Sequence, residues 1–342
     1  MENQALADQA IFPMTENRAK DAQFSDSLTS HLRGSAVHGI QFERSTTMSS
    51  RITIFLCMIL TCLILSPIAA VAANPQFTAI YVFGDSYCDV GNIYAATGGA
   101  EPAAPYFGGR FSNGPLWLEH VANAWGLPMK PSLLGGNDYA FGGAEVTADV
   151  PLGGSNFIPS IPHQVAKYLS QHGGKADPNA LYVLEGGGND IVNATGGSPQ
   201  QLAFQIAVGI AGIENQLRRA GARNFLIPNI FDLALTPIGK ANAAFNTAAA
   251  IATNKAVGDM LAIEELFPGV RITHLDSFDL FNAILKADTT NFGFTDPVNP
   301  CFNQVTLTLC SDPAHTFFWD DIHPTVFGHS FLAVTVEALY AH

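Results

Sequence analysis

Four short stretches of this chain carry residue types that acyl transfer needs. In "VFGDSYCDVGN", Ser86 follows an apolar run. A serine hydroxyl becomes a nucleophile only when a base takes its proton, and a turn position exposes it for attack. In "NDYAFGGAEV", Gly142 and Gly143 permit close backbone approach, so an N–H from either could face a cleft. In "LEGGGNDIV", Asn189 offers side-chain N–H donors suited to a developing oxyanion, a contact worth about 3 kcal/mol in such sites. In "FFWDDIHPT", Asp320 stands three residues before His323. One tight turn can join positions i and i+3, with the carboxylate on Nδ1–H and Nε2 left for the serine. Asp321 is the neighbouring alternative at a less convenient spacing. Taken singly, each stretch also fits a turn, a bend or a helix cap.

Other chemistries lack their signatures. The chain has no G-x-S-x-G elbow, no G-x-x-x-x-G-K-[ST] loop and no H-E-x-x-H or paired C-x-x-C. His315, His323 and His329 lie near one another in sequence, but their spacing fits no familiar ligand set, so neither a metal nor an organic cofactor is expected.

The elements that must hold these residues read as alternating strands and helices. Ala79–Phe83, Leu181–Glu185, Asn224–Ile230 and Val270–Asp276 are β-branched or aromatic runs ending at polar or glycine-rich turns. Between and after them, helices are predicted over Pro199–Ala220, Lys240–Phe267, Ser277–Lys286 and Pro324–Tyr340, the last starting on a first-turn proline. Strand–helix alternation implies an α/β fold with a mainly parallel sheet covered on both faces, and ligands bind beyond the carboxyl ends of such strands. The Gly- and Pro-rich stretch 98–115 reads as a surface loop and a candidate cleft wall.

Composition agrees with one large domain. Of the 342 residues, 48% are hydrophobic and 13% charged, enough apolar surface for a substantial core. A net charge of −13 makes nucleic acid a poor partner and disfavours anionic membranes, while leaving small esters and transient contact with a neutral lipid surface as candidates. Arg51, the apolar run 52–65 and the small-residue end at Ala70 and Ala72 read as a secretory signal over 48–73, cleaved near Ala72 or Ala73. That places the remaining domain, 74–342, in a secreted or periplasmic compartment. Residues 1–47 are polar and aperiodic, and read as a disordered leader or a start-site artefact before Met48. Oxidising conditions favour pairing Cys301 with Cys310, leaving Cys88 as a buried packing residue. Asn193 heads a glycosylation sequon.

Together, "FGDSYCDVGN", "FSNGPLW", "YAFGGA", "GGGND" and "FWDDIHPT" resemble the successive blocks of the GDSL (SGNH) lipase/esterase family, in particular its secreted phospholipase, lecithinase and hemolysin-like branch. The resemblance runs from about Ala79 to His342. It implies a three-layer α/β/α sandwich, Ser86 as nucleophile, His323 as base and Asp320 orienting it. It also implies an oxyanion hole from the backbone N–H groups of Ser86 and Gly143 and the Asn189 side chain, with Gly142 adjacent to the glycine it selects. Ester hydrolysis follows as the expected activity. Acyl transfer to another acceptor and carbohydrate acetyl-ester cleavage use the same machinery, and a lipid- or glycan-binding protein is the non-enzymatic rival. The oligomeric state has no signature in the sequence.

Overall fold

The computed structural model describes residues 76–153, 156–286 and 292–341, so the leader and signal segments read from residues 1–73 lie outside the described residues. In chain order the elements are β1 (Ile80–Phe83), α1 (Asn92–Ala96), α2 (Trp117–Ala124), β2 (Val150–Gly153), β3 (Asn156–Ile158), α3 (Ile161–Gln171), β4 (Leu181–Leu184), α4 (Gly188–Val192), α5 (Pro199–Ala220), β5 (Asn224–Pro228), α6 (Ala243–Glu264), β6 (Arg271–Leu275), α7 (Ser277–Lys286), β7 (Asp296–Pro300), β8 (Phe302–Asn303), β9 (Thr308–Leu309), β10 (Thr316–Phe318) and α8 (Val326–Leu339).

The central sheet is parallel, in the order β1-β4-β5-β6. A further extended segment runs parallel to β1 on its other side. Tyr139 N–H donates to the Val82 carbonyl at 2.8 Å and Phe141 N–H to that of Gly84 at 3.1 Å. The chain therefore leaves β1, passes along one side of it through residues 137–141, and returns on the other side as β4. This reversal opens a crevice beyond the carboxyl ends of β1 and β4, where doubly wound sheets place their ligands. All four residues of β4 are buried, as a strand covered on both faces requires.

Helices cover both faces. On one side α5 packs along α6 and against α3; a separate pair is formed by α2 and α8. Helix α5 begins and ends where its sequence says it should. Pro199 opens it, the Ser198 hydroxyl accepts from Gln201 N–H at 3.2 Å, and Gly221 closes it at φ 125°. Two predicted boundaries shift. The α6 helix starts at Ala243, after a separate 3-10 turn at Gly239–Asn242, because Asn242 leaves the helical region at φ −131°. Pro324 is not the first helical residue of α8: Thr325 is the cap, its hydroxyl accepting from Gly328 N–H at 3.2 Å. The stretch 98–115 carries only turns and bends, and the small strand pairs β2–β3, β8–β9 and β7–β10 have no alternating pattern that announces them.

Candidate active site

Ser86 lies three residues beyond β1, in a single turn closed by its neighbours. The Asp85 carbonyl accepts from Cys88 and Asp89 N–H, and its carboxylate accepts from Tyr87 N–H at 3.0 Å. Behind the turn, Gln164 on α3 clamps Gly84: Oε1 accepts from Gly84 N–H and Nε2 donates to its carbonyl, both at 2.9 Å. A Cβ at Gly84 would sit 2.8 Å from Glu185 Oε2 and 3.2 Å from the Glu185 carbonyl oxygen, so glycine lets the two strand ends approach without displacing Glu185.

The same block is stitched to the glycine pair. Buried Asp89 accepts from Gly91 N–H (2.8 Å), Ile93 N–H (3.1 Å) and Gly142 N–H (2.8 Å), and from Asn92 N–H. Burial nevertheless raises its carboxyl to about 6, against these donors. Asn92 donates to the carbonyls of Asp138 and Ala140 at 2.9 and 2.8 Å, fixing the 137–141 segment beside β1. Gly142 N–H is thus committed to Asp89, whereas Gly143 adopts φ 80° next to Ala144.

Asn189 stands in α4, just beyond β4, with Nδ2 3.0 Å from the Ala144 carbonyl and 3.1 Å from Asp85 Oδ2. Its neighbour Asp190 accepts from the backbone N–H groups of Val146 and Thr147 at 2.9 and 3.0 Å, binding the β4 turn to the glycine block. Asp85 and Glu185 face each other here as an acid pair. Burial and the charge of Asp85 push the Glu185 carboxyl well above the usual carboxylate range.

The fourth block arrives from the opposite end of the chain. Residues 317–325 double back on themselves: Trp319 N–H donates to the His323 carbonyl at 2.7 Å and Thr325 N–H to that of Phe317 at 2.8 Å. At the tip, Asp320 Oδ1 accepts from the backbone N–H groups of Ile322 (2.9 Å) and His323 (2.8 Å). His323 Nδ1 is 2.7 Å from Asp320 Oδ2, and Nε2 is 2.7 Å from Ser86 Oγ. All three residues are buried, with Asp320 at 2%, Ser86 at 7% and His323 at 9% exposure, so the reacting atoms sit at the wall of the cleft rather than in open water. Burial alone would raise the Asp320 carboxyl. The His323 charge and ring N–H, the Tyr106 hydroxyl and the His323 backbone N–H together outweigh it and hold the group below its usual range. Asp321 is exposed and its carboxylate makes no bond to His323; its carbonyl accepts from Ile238 N–H at 2.9 Å.

Cross-ties from the 98–115 loop and the Ser86 turn hold this tip in place. Tyr87 donates its hydroxyl to the Ile322 carbonyl at 2.8 Å, Ser112 donates to the Pro324 carbonyl at 2.9 Å, and Asn113 Oδ1 accepts from Val326 N–H at 2.7 Å. Cys301 and Cys310 form a disulfide across the β8–β9 hairpin, and Cys88 is a free, buried thiol. His315 bonds Asp312 at 2.9 Å and His329 is buried in α8, and no group of three or more metal-type ligands occurs among the described residues.

The cleft beside Ser86 and Asn189 is mainly apolar, lined by Ile230, Phe231, Leu233 and Phe281. Trp117 borders this cleft at its buried side, and Phe317, Phe318 and Trp319 are fully buried core. Phe111 packs on the His323 ring, with centroids 5.2 Å apart. Read from the sequence, Asp89, Asn92 and Gln164 carry no assigned role, and Tyr106 is only an aromatic residue near the motifs that would suit an acyl chain. Asp89 and Asn92 lie inside the quoted first block, whereas Gln164 and Tyr106 have no local signal, since their partners are 80 and 214 residues away.

Comparison with known proteins places these residues in context. The chain is 26% identical over 338 residues to a phosphatidylcholine-sterol acyltransferase of Aeromonas hydrophila, covering 84% of this chain and 97% of that one. It is 27% identical over 281 residues to a thermolabile hemolysin of Vibrio parahaemolyticus, covering 75% of this chain and 62% of the other. A GDSL esterase/lipase of Arabidopsis thaliana is 27% identical over 322 residues, with 75% and 85% covered. Among solved structures, a putative arylesterase of Agrobacterium tumefaciens superposes with a TM-score of 0.41 at 17% identity, over 77% of this chain and 96% of that one. The profile of the GDSL-like lipase/acylhydrolase family matches residues 80–336, most of the chain. The protein belongs to that family and is a carboxylic ester hydrolase.

Proposed function

We propose that this enzyme cleaves lipid or other acyl esters through an acyl-enzyme on Ser86. The observation that carries the reading is the unbroken line from Asp320 Oδ2 to His323 Nδ1 and from His323 Nε2 to Ser86 Oγ, with 2.7 Å at each step. Ser86 Oγ attacks the carbonyl carbon as His323 Nε2 takes its proton. The tetrahedral oxyanion is held by the backbone N–H groups of Ser86 and Gly143 and by the Asn189 amide, one of whose two N–H groups turns to it from Asp85 or Ala144. The choice of Gly143 over Gly142 is supported by the latter's bond to Asp89. The leaving alcohol collects the proton from His323, and water, deprotonated by the same imidazole, releases the acid. The chemistry calls for no metal and no organic cofactor.

An apolar cleft beside the serine suits an acyl chain, and an uncharged or zwitterionic lipid suits a chain of net charge −13. We read 48–73 as a secretory signal and 74–342 as the exported catalytic domain. Ser86→Ala is expected to remove hydrolysis of nitrophenyl esters and covalent labelling by an organophosphonate while leaving the circular dichroism spectrum unchanged. Full activity in that variant would refute the assignment.

A second reading is transfer of the acyl group to an acceptor alcohol in place of water. The similarity to a phosphatidylcholine-sterol acyltransferase over nearly its whole length favours considering it. Incubation with a phospholipid and a sterol separates the two: free fatty acid alone supports hydrolysis, and sterol ester supports transfer. An ester series from acetyl upward, including an acetylated sugar, tests the acetyl-esterase alternative.

A further inference from the structure

Tyr106 lies in the turn-rich stretch 98–115, 214 residues before Asp320, yet its hydroxyl donates to Asp320 Oδ2 at 2.6 Å. That is the oxygen which also faces His323 Nδ1. The other oxygen, Oδ1, is fixed by the two backbone N–H groups of the 320–323 turn. Without the phenol, Oδ2 would be held by the imidazole alone, and the two backbone N–H groups on Oδ1 would be the carboxylate's remaining anchors independent of the ring. Burial and the charge of Asp320 push the Tyr106 hydroxyl well above its usual range, so it stays a donor wherever the enzyme works.

Tyr106 is itself held from a third direction. Gln304 Nε2 donates to its hydroxyl oxygen, and the ring stands edge-on to Phe302 and Trp319 at 5.7 and 6.3 Å. Gln304 belongs to the hairpin closed by Cys301–Cys310. That hairpin is strapped to the strand leading into Asp320 by Cys301 N–H to the Phe318 carbonyl (3.0 Å) and Phe302 N–H to the Trp319 carbonyl (2.7 Å). Its base therefore grips the main chain just before Asp320, and its arm reaches the phenol that grips the carboxylate.

Resting on the acyl-enzyme reading above, we infer that Tyr106 is a positioning residue for the Asp320–His323 pair and that Gln304, on the disulfide-closed hairpin, keeps Tyr106 in place. Tyr106→Phe preserves the ring contacts and removes only the hydroxyl. The expected result is a kcat lower by roughly ten- to a hundredfold, the range for a lost hydrogen bond to a charged group, with KM for a short nitrophenyl ester unchanged. Organophosphonate labelling of Ser86, which needs an activated serine but no substrate pocket, should slow by a similar factor. Gln304→Ala, at an exposed position where a folding defect is not expected, should lower kcat by a smaller factor in the same pattern. Wild-type kcat and labelling in Tyr106→Phe would overturn the inference, as would a loss confined to KM. Were Tyr106→Phe to misfold, an unchanged kcat in Gln304→Ala would overturn the hairpin's part and a lowered one would support it. Inactive Ser86→Ala beside fully active Tyr106→Phe rejects this inference alone, whereas active Ser86→Ala rejects the reading of the site itself.

Discussion

The two halves of the site are held in different ways. Ser86 and Asn189 stand at the ends of β1 and β4, paired strands of the central sheet with register Phe83↔Leu184. Their separation is set by backbone hydrogen bonds in the ladder and by glycines that let the strand ends approach. Asp320 and His323 stand on a loop whose nearest strands are short pairs apart from the central sheet. That half is located by scattered ties: side chains from Tyr87 to Ile322, Ser112 to Pro324, Asn113 to Val326 and Tyr106 to Asp320, single backbone bonds from Ile238 and the hairpin, and the disulfide behind them. A sheet end is rigid because many bonds must break together. A loop tip tied by individual contacts is rigid only as long as each contact lasts, so the relay half should be the more sensitive to single changes.

The most damaging change to the loop half that leaves its shape intact is Asp320→Asn. An amide in place of the carboxylate favours the wrong imidazole tautomer, and a loss in kcat of about 10⁴-fold is expected, as in other enzymes with this arrangement. A loss under about tenfold, measured on a nitrophenyl ester, would mean that another group orients His323. Next in size is removal of the disulfide by Cys301→Ser with Cys310→Ser. Its loop spans a sequence separation of 9, and closing such a loop contributes about 2–3 kcal/mol by chain entropy. If the sheet half is independent of the hairpin, hydrogen exchange should rise across 301–325 while the amides of β1, β4 and β5 keep their protection. Loss of protection in β4 would show that the two halves form one cooperative unit.

The smallest effect on activity is expected beneath the sheet half, at Glu214 on α5. Its side chain is wholly buried against the Glu264 carboxyl, a partner it can bond only when one of the two holds a proton; Arg218 Nε, 3.9 Å away, is bonded instead to Glu264. Burial and the Glu264 charge raise its carboxyl to about 7, against the pull of Arg218. A raised carboxyl means that the folded chain holds the proton more tightly than the unfolded one. Its contribution is therefore complete below about pH 4.5 and declines as pH rises towards 7. Glu214→Gln removes that decline: its advantage over wild type should grow between pH 5 and 8 to about 3 kcal/mol, read as melting temperature, with kcat unchanged. An advantage independent of pH would show that the group is already ionised in the folded state.

How much of this was legible in advance follows the same division. The strand runs at 80–83 and 181–184, the helix over 199–220 and the four chemical blocks are encoded locally, by β-branched runs, a proline with a serine cap, and polar residues at strand ends. Local encoding is visible in one sequence because the interacting residues lie within a few positions of each other. The start of α8 was misread because a first-turn proline and a capping threonine compete over adjacent positions, and the Thr325 hydroxyl wins by satisfying Gly328 N–H.

From sequence alone came the residue types able to attack, to accept a proton and to stabilise an oxyanion, and the α/β alternation that would set them at strand ends. The i, i+3 spacing already favours Asp320 over Asp321; what only the tertiary structure decided was the meeting of distant residues: Nε2 of residue 323 against a hydroxyl 237 residues earlier, and Gly142 bound to Asp89. The bracing of Asp320 by Tyr106 and Gln304 belongs to that second class too. A hydrogen bond between distant residues is selected by how the sheet, the loop and the hairpin pack together, and no spacing along the chain records it.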